Sequence, residues 1–109
     1  MRTLKFIVDS TTIKQDPTCS FEGLFPGPNQ QIEAEFSFSS EWENIPKVAA
    51  FYSLLGKEFP PQVLNEENRC RISPEALNLP AFRMQLLGIN GNAMLSSNII
   101  TIFQRGGKI

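Results

Sequence analysis

Gln31-Ile32-Glu33-Ala34-Glu35-Phe36-Ser37-Phe38 alternates apolar and polar residues. A β-strand sends successive side chains to opposite faces, so Ile32, Ala34, Phe36 and Phe38 share one face and Glu33, Glu35 and Ser37 the other. One face is built for a core and the other for water. A helix would scatter these residues around its axis.

The same period recurs on both sides of this stretch. Leu4, Phe6 and Val8 alternate with Thr3, Lys5 and Ile7, and Asp9-Ser10-Thr11-Thr12 reads as a turn. Residues 13–30 contain Pro17, Gly23, Pro26, Gly27, Pro28 and Asn29, which is loop chemistry. Phe21, Leu24 and Phe25 lie inside that loop. They serve either as a protein-contact surface or as a lid over the core.

Beyond Phe38, Ser39 to Asn44 breaks the alternation and Ile45-Pro46 ends the connection. Val48 to Leu55 resumes strand character, Leu55-Gly56-Lys57 is turn-like, and Glu58 to Leu64 reads as a return strand marked by Pro60-Pro61. Asn65 to Asn68 forms a polar turn before the short strand Arg69–Ile72. Ser73-Pro74-Glu75-Ala76-Leu77 is the single helix signal: a capping Ser, a Pro suited to the first helical position, and Leu77 as anchor. Ala81 to Leu87 is a strand, Asn90-Gly91 a hairpin signal, and Ala93 to Phe103 the last strand region. Residues 105–109 read as a flexible tail. The expectation is one all-β domain over 1–109, an Ig-like antiparallel β-sandwich of about seven strands with one short helical turn.

Composition narrows the function classes. The chain has 109 residues, nine Phe, no His, and ten basic against eleven acidic residues. A net charge of −1 supplies no phosphate-neutralising excess, so no nucleic-acid partner is expected. No apolar run reaches the length of a membrane span, and residues 1–9 do not read as a signal peptide, so a membrane partner is not expected and synthesis in a cytoplasm is. Cys19 and Cys70 form no CxxC pair; free thiols are expected, and no metal site.

Without His the commonest catalytic base is missing. Cys19 reads as an ordinary thiol. Glu33 with Glu35, and Glu41 with Glu43, could each flank a sugar, but solvated carboxylates are the default reading. No phosphate-binding loop and no calcium loop occur. An enzyme is not expected, nor any cofactor. Trp42 can be a sugar-stacking platform or a core plug at a strand end, and its place just after Phe36 and Phe38 favours the plug.

Glu35 to Phe51, with its Phe36-Ser37-Phe38-Ser39-Ser40-Glu41-Trp42 run and the following Lys47-Val48-Ala49-Ala50-Phe51, resembles small β domains of phages and prophages of Firmicutes. That pattern reads "F-x-FS-x-EW", a polar connection, then "K-x-A-x-F". Cys70 to Leu77 is similar to the family's "C-x-I-P-x-E-x-L", with one extra residue before Pro74. Phe82 to Gly88 followed by Ser97-Asn98, and the opening Leu4 to Asp9, are similar too.

The resemblance implies a virion structural role: capsid decoration, or a tail-fibre or baseplate component. It carries no catalytic set. It implies that Trp42 and Phe36 pack the core, that Glu41 holds a corner by hydrogen bonding, and that Pro74 with Leu77 shapes the helical turn. The implied partners are other virion proteins, in a homo-oligomer or multi-copy assembly. Docking can use faces, loops or strand addition at an edge. A carbohydrate-binding module that reads a host surface glycan is the alternative, and it requires Trp42 or Tyr52 to be exposed.

Overall fold

A computed structural model of the chain describes residues 2–27 and 31–104. The expected tail at 105–109, and Pro28 and Asn29 of the expected loop, lie outside the described residues.

Alternation in the sequence becomes alternation in burial. In β1 (Arg2–Asp9) Leu4, Phe6 and Val8 are buried while Lys5 and Asp9 are exposed. In β3 (Ile32–Phe38) Ile32, Ala34 and Phe36 are buried, and Phe38 is half-buried at the sheet end. These strands form a first sheet in the order β2-β1-β3-β6, with β2 spanning Thr12–Gln15 and β6 Arg69–Arg71.

The second sheet is built on β7 (Ala81–Asn90). It pairs with β4 (Lys47–Tyr52) on one side; β4 carries β5 (Gln62–Val63) at its outer edge. On its other side β7 takes β8 (Ala93–Ser96) and then β9 (Ile100–Phe103), end to end. Buried residues of both sheets join in one cluster, with Leu4, Phe6 and Phe36 from the first and Phe51, Phe82, Met84 and Leu86 from the second. The fold is an all-β sandwich with α1 (Pro74–Leu77) as its single α-helical turn. No helix among the described residues is long and apolar enough to cross a membrane.

Several expectations need correction. There are nine strands among the described residues, not about seven. The segment expected as loop from residue 13 begins as β2, because Ser10-Thr11 closes a tight hairpin with Asp9 opposite Thr12 and Ser10 at φ 56°. Only Ile13 of β2 is buried, as suits an edge strand. The region expected as one strand from Ala93 to Phe103 divides at Ser97-Asn98. There the buried Ser97 hydroxyl accepts the Leu86 amide at 2.9 Å and donates to the Asn98 carbonyl, taking a ladder position that a strand residue would fill. Pairing is not wholly antiparallel: β1 runs parallel to β3, Phe6 beside Phe36. The return strand at Glu58–Leu64 shrinks to β5 and a single bridge, Tyr52 to Glu58, because Pro60 and Pro61 cannot donate to a ladder.

The polar connections behave as their residues dictate. Asn68 adopts φ 62° and closes the Asn65–Asn68 turn by donating to the Asn65 carbonyl at 2.9 Å. Asn90 pairs with Ala93 across a two-residue turn whose first residue, Gly91, has φ 65°, which a side chain would disfavour. Ser73 does not cap α1 with its side chain; its hydroxyl instead donates to Glu75 Oε1 at 3.0 Å, while its carbonyl accepts Leu77 N–H at 3.1 Å.

Candidate functional site

Trp42 is 0% exposed, at the end of the short 3-10 turn Ser40–Trp42. Its indole Nε1–H donates to the Ser10 carbonyl at 2.7 Å, tying this corner to the β1–β2 hairpin. The ring meets Phe38 with centroids 5.3 Å apart. Phe38 meets Phe36 at 5.9 Å, Phe36 stacks on Phe6 at 5.3 Å, and Phe6 takes Phe21 edge-on at 5.4 Å. The result is an unbroken run of five aromatic rings, each contact worth about 0.5–1.5 kcal/mol beyond its buried area. Gly88 lets the opposite sheet approach this corner: a Cβ there would lie 3.0 Å from the Trp42 ring and 2.8 Å from Ile45 Cδ1. Buried in this way, Trp42 is a plug and cannot stack on a sugar.

Glu41 is exposed beside Trp42. The Ser39 hydroxyl first, then its own backbone amide, with a smaller contribution from Ser10, holds its carboxyl below the usual range. The Ser39 hydroxyl oxygen also accepts the Ser10 amide at 2.8 Å, so the serines link the carboxylate to the hairpin. Pro74 occupies the first turn of α1, and Leu77 is buried beneath it.

The expected contact trio of the loop divides. Leu24 is 3% exposed and belongs to the core, so it is not available as a contact residue. Phe21 is half-buried against Phe6 and acts as a lid. Phe25 alone of the three stands out from the surface. The loop is tied down by backbone groups: Arg2 donates to the carbonyls of Ser20 at 3.0 Å and Glu22 at 2.6 Å, and Gly27 N–H reaches the Leu77 carbonyl at 3.0 Å.

Glu33 and Glu35 do share the outer face of β3, but Arg69 claims both, at 3.2 and 3.3 Å. Both thiols are free; Cys70 is buried, and burial, reinforced by the negative charge of Glu33, pushes it up to about 12. No group of three metal-ligating side chains gathers among the described residues. At one end of the sandwich an open polar cleft of about 650 Å³ is lined by Phe38, Lys47, Glu43, Asn44 and Asn68. Lys47 lies 5.1 Å over the Phe38 ring and donates to the Ile45 carbonyl at 3.1 Å, and burial lowers its pKa.

The two outer faces differ in kind. On the first sheet, cross-strand neighbours are Lys5 with Glu35, Glu35 with Arg69 and Glu33 with Arg71, a charged surface suited to water. On the second, Val63 pairs with Val48 and Val48 with Leu87, and one step along Ile89 pairs with Met94. Val63 is 73% exposed and Met94 63%. Ala50, Tyr52, Phe59 and Pro61 extend this surface around a shallow groove of about 240 Å³. Tyr52 is half-buried there and its hydroxyl donates to Gln85 Oε1 at 3.4 Å. Single exposed apolar residues are ordinary, whereas a contiguous patch marks an interaction surface.

Alternation alone does not reveal that face, because it does not say which of two apolar sets is left outside. The signal was present: β4 and the second half of β7 are apolar on both alternating sets, Val48, Ala50 and Tyr52 against Ala49 and Phe51, and Leu87 and Ile89 against Leu86. In this chain the outer set stays exposed, with Val63, Ile89 and Met94 open at the surface.

No protein-family model matches this chain, no curated protein matches it in sequence, and no solved structure matches its fold.

Proposed function

We propose that the protein is a non-enzymatic structural subunit of a bacteriophage particle, made in the host bacterial cytoplasm and built in multiple copies into the capsid surface or the tail. It works through contacts with other virion proteins and needs no cofactor. The observation that carries this reading is the contrast between the two outer faces, one charged and one apolar, which suits a module with water on one side and protein on the other. The resemblance of residues 35–51 and 70–77 to small phage β domains supports the virion setting. Of the residues that carry it, Phe36, Trp42 and Leu77 are buried in the core and Pro74 opens the helical turn, roles that suit a structural family.

Immunogold electron microscopy and mass spectrometry of purified particles test the proposal. Regular label on the capsid identifies a decoration protein, and label at the tail tip a fibre or baseplate part. Absence from the particles refutes the virion reading. The glycan-binding alternative now rests on Tyr52, and a glycan array tests it.

A further inference from the structure

We propose that the apolar outer face of the second sheet binds a second copy of this chain, giving a two-fold dimer whose axis runs along β4 over Tyr52. The inference deepens the multi-copy reading by naming the partner of that face.

Area and charge both favour a second copy. The whole molecule has principal extents of 46 × 30 × 21 Å, so its broadest side is the one with room for a partner. A stable dimer buries about 800 Å² per partner, which fits within the 46 × 30 Å outline of that side. With a net charge of −1, two copies repel little.

Charge placement then selects the axis. Tyr52 has Arg83 as its neighbour on the β7 side and Glu58 on the other side. These two side chains form no ion pair with each other or with any other described residue. A two-fold interface places residue i of one copy against residue j of the other and j against i. An axis along β4 carries the Glu58 side of one copy over the Arg83 side of its partner, twice. The same rotation lays Val63 over Leu87, so the apolar flanks meet as well. Both sheets keep their strands aligned, as face-to-face sheets prefer.

Sedimentation velocity of the whole chain in reducing buffer, where Cys19 cannot link copies, tests the proposal. The expected species has twice the 12.2 kDa chain mass at ~50 µM, an affinity that an interface of this size readily supports. Val63→Glu puts a charge into the contact and is expected to weaken dimerisation about 100-fold, with the circular dichroism spectrum and thermal midpoint of the diluted monomer unchanged. Glu58→Arg alone is expected to weaken it at least about 10-fold by opposing Arg83 with a like charge, and Glu58→Arg with Arg83→Glu to restore it to within about threefold.

A wild-type chain monomeric at ~1 mM overturns the dimer, since an interface of this size would hold at that concentration. A dimer indifferent to Val63→Glu, or one that the double reversal fails to restore, overturns this face or this axis. If particles contain the protein while the isolated chain stays monomeric, the dimer is refuted and the virion reading stands.

Discussion

Replacing Gly88 by Ala sets two effects of opposite sign against each other. Gly88 does not have a positive φ, so its backbone conformation is open to Ala. Gly→Ala at a permissive position stabilises by about 0.4–1 kcal/mol, because the unfolded chain loses freedom. Against this, the new Cβ would lie 2.8 Å from Ile45 Cδ1 and 3.0 and 3.1 Å from two carbons of the Trp42 ring. The Ile45 contact is with the end of a side chain and can relax. The ring cannot readily retreat, since Nε1 is bonded to the Ser10 carbonyl at 2.7 Å and Phe38 lies on it. Overpacking of this kind costs about 1–3 kcal/mol. The clash is expected to win, leaving a net loss of about 1–2 kcal/mol and a thermal midpoint lower by about 5–10 °C for a domain of this size.

Calorimetry or circular dichroism melting reads this directly, and a double-mutant cycle sharpens it. Ile45→Val alone is expected to destabilise by about 0.5–1.5 kcal/mol. Combined with Gly88→Ala it is expected to cost less, because it frees space beside the new Cβ, giving a favourable coupling of about 0.5–1 kcal/mol. A Gly88→Ala protein as stable as wild type, or more stable, refutes the account of this corner.

Asn98→Ala removes the side-chain oxygen that accepts the Ile13 amide at 2.8 Å, leaving the Asn98 amide on the Thr11 carbonyl to hold the β1–β2 hairpin to the β8–β9 connection. The expected cost is about 1–2 kcal/mol, with accelerated hydrogen exchange at Ile13; unchanged exchange there refutes the tie. Cys19 is expected to react with a thiol reagent in the native protein and Cys70 only after denaturation, since Cys70 is buried and holds its proton up to about 12. The unfolded thiol ionises near its ordinary value of 9.0, so stability is lost as pH rises from there through about 12, and Cys70→Ser should flatten that loss in pH-dependent melts.

Legibility of the fold followed the number of apolar residues that each element places on one face. β1 and β3 carry three buried residues each at period two, and nothing else in their composition competes with that signal. β2 has only Ile13, so the Thr and Lys around it read as turn and loop. The break between β8 and β9 depends on a serine hydroxyl finding the Leu86 amide, a pairing between residues 11 apart that no local pattern encodes. The parallel register of β1 on β3 is likewise a property of the assembled sheet. At the site, the plug at Trp42 was readable from its place behind Phe36 and Phe38. The division of the loop trio was not, because Phe21, Leu24 and Phe25 share one composition and differ only in which core edge lies beneath them.

The parallel pairing of β1 with β3 also constrains the order of events during synthesis. A parallel neighbour cannot be supplied by a tight hairpin, so the first strand must wait for a stretch some 30 positions later before its central ladder closes. On a ribosome, Phe6 and Val8 emerge early, with only the thin β2 hairpin beside them. Two tight hairpins, β1 with β2 and β7 with β8, lie at opposite ends of the chain. Local pairing is thus available at both ends, while the β1–β3 ladder that joins the first sheet is non-local, which places folding in the slower range typical of such β topologies. Wherever many copies are made at once, that interval is when one chain is most exposed to another.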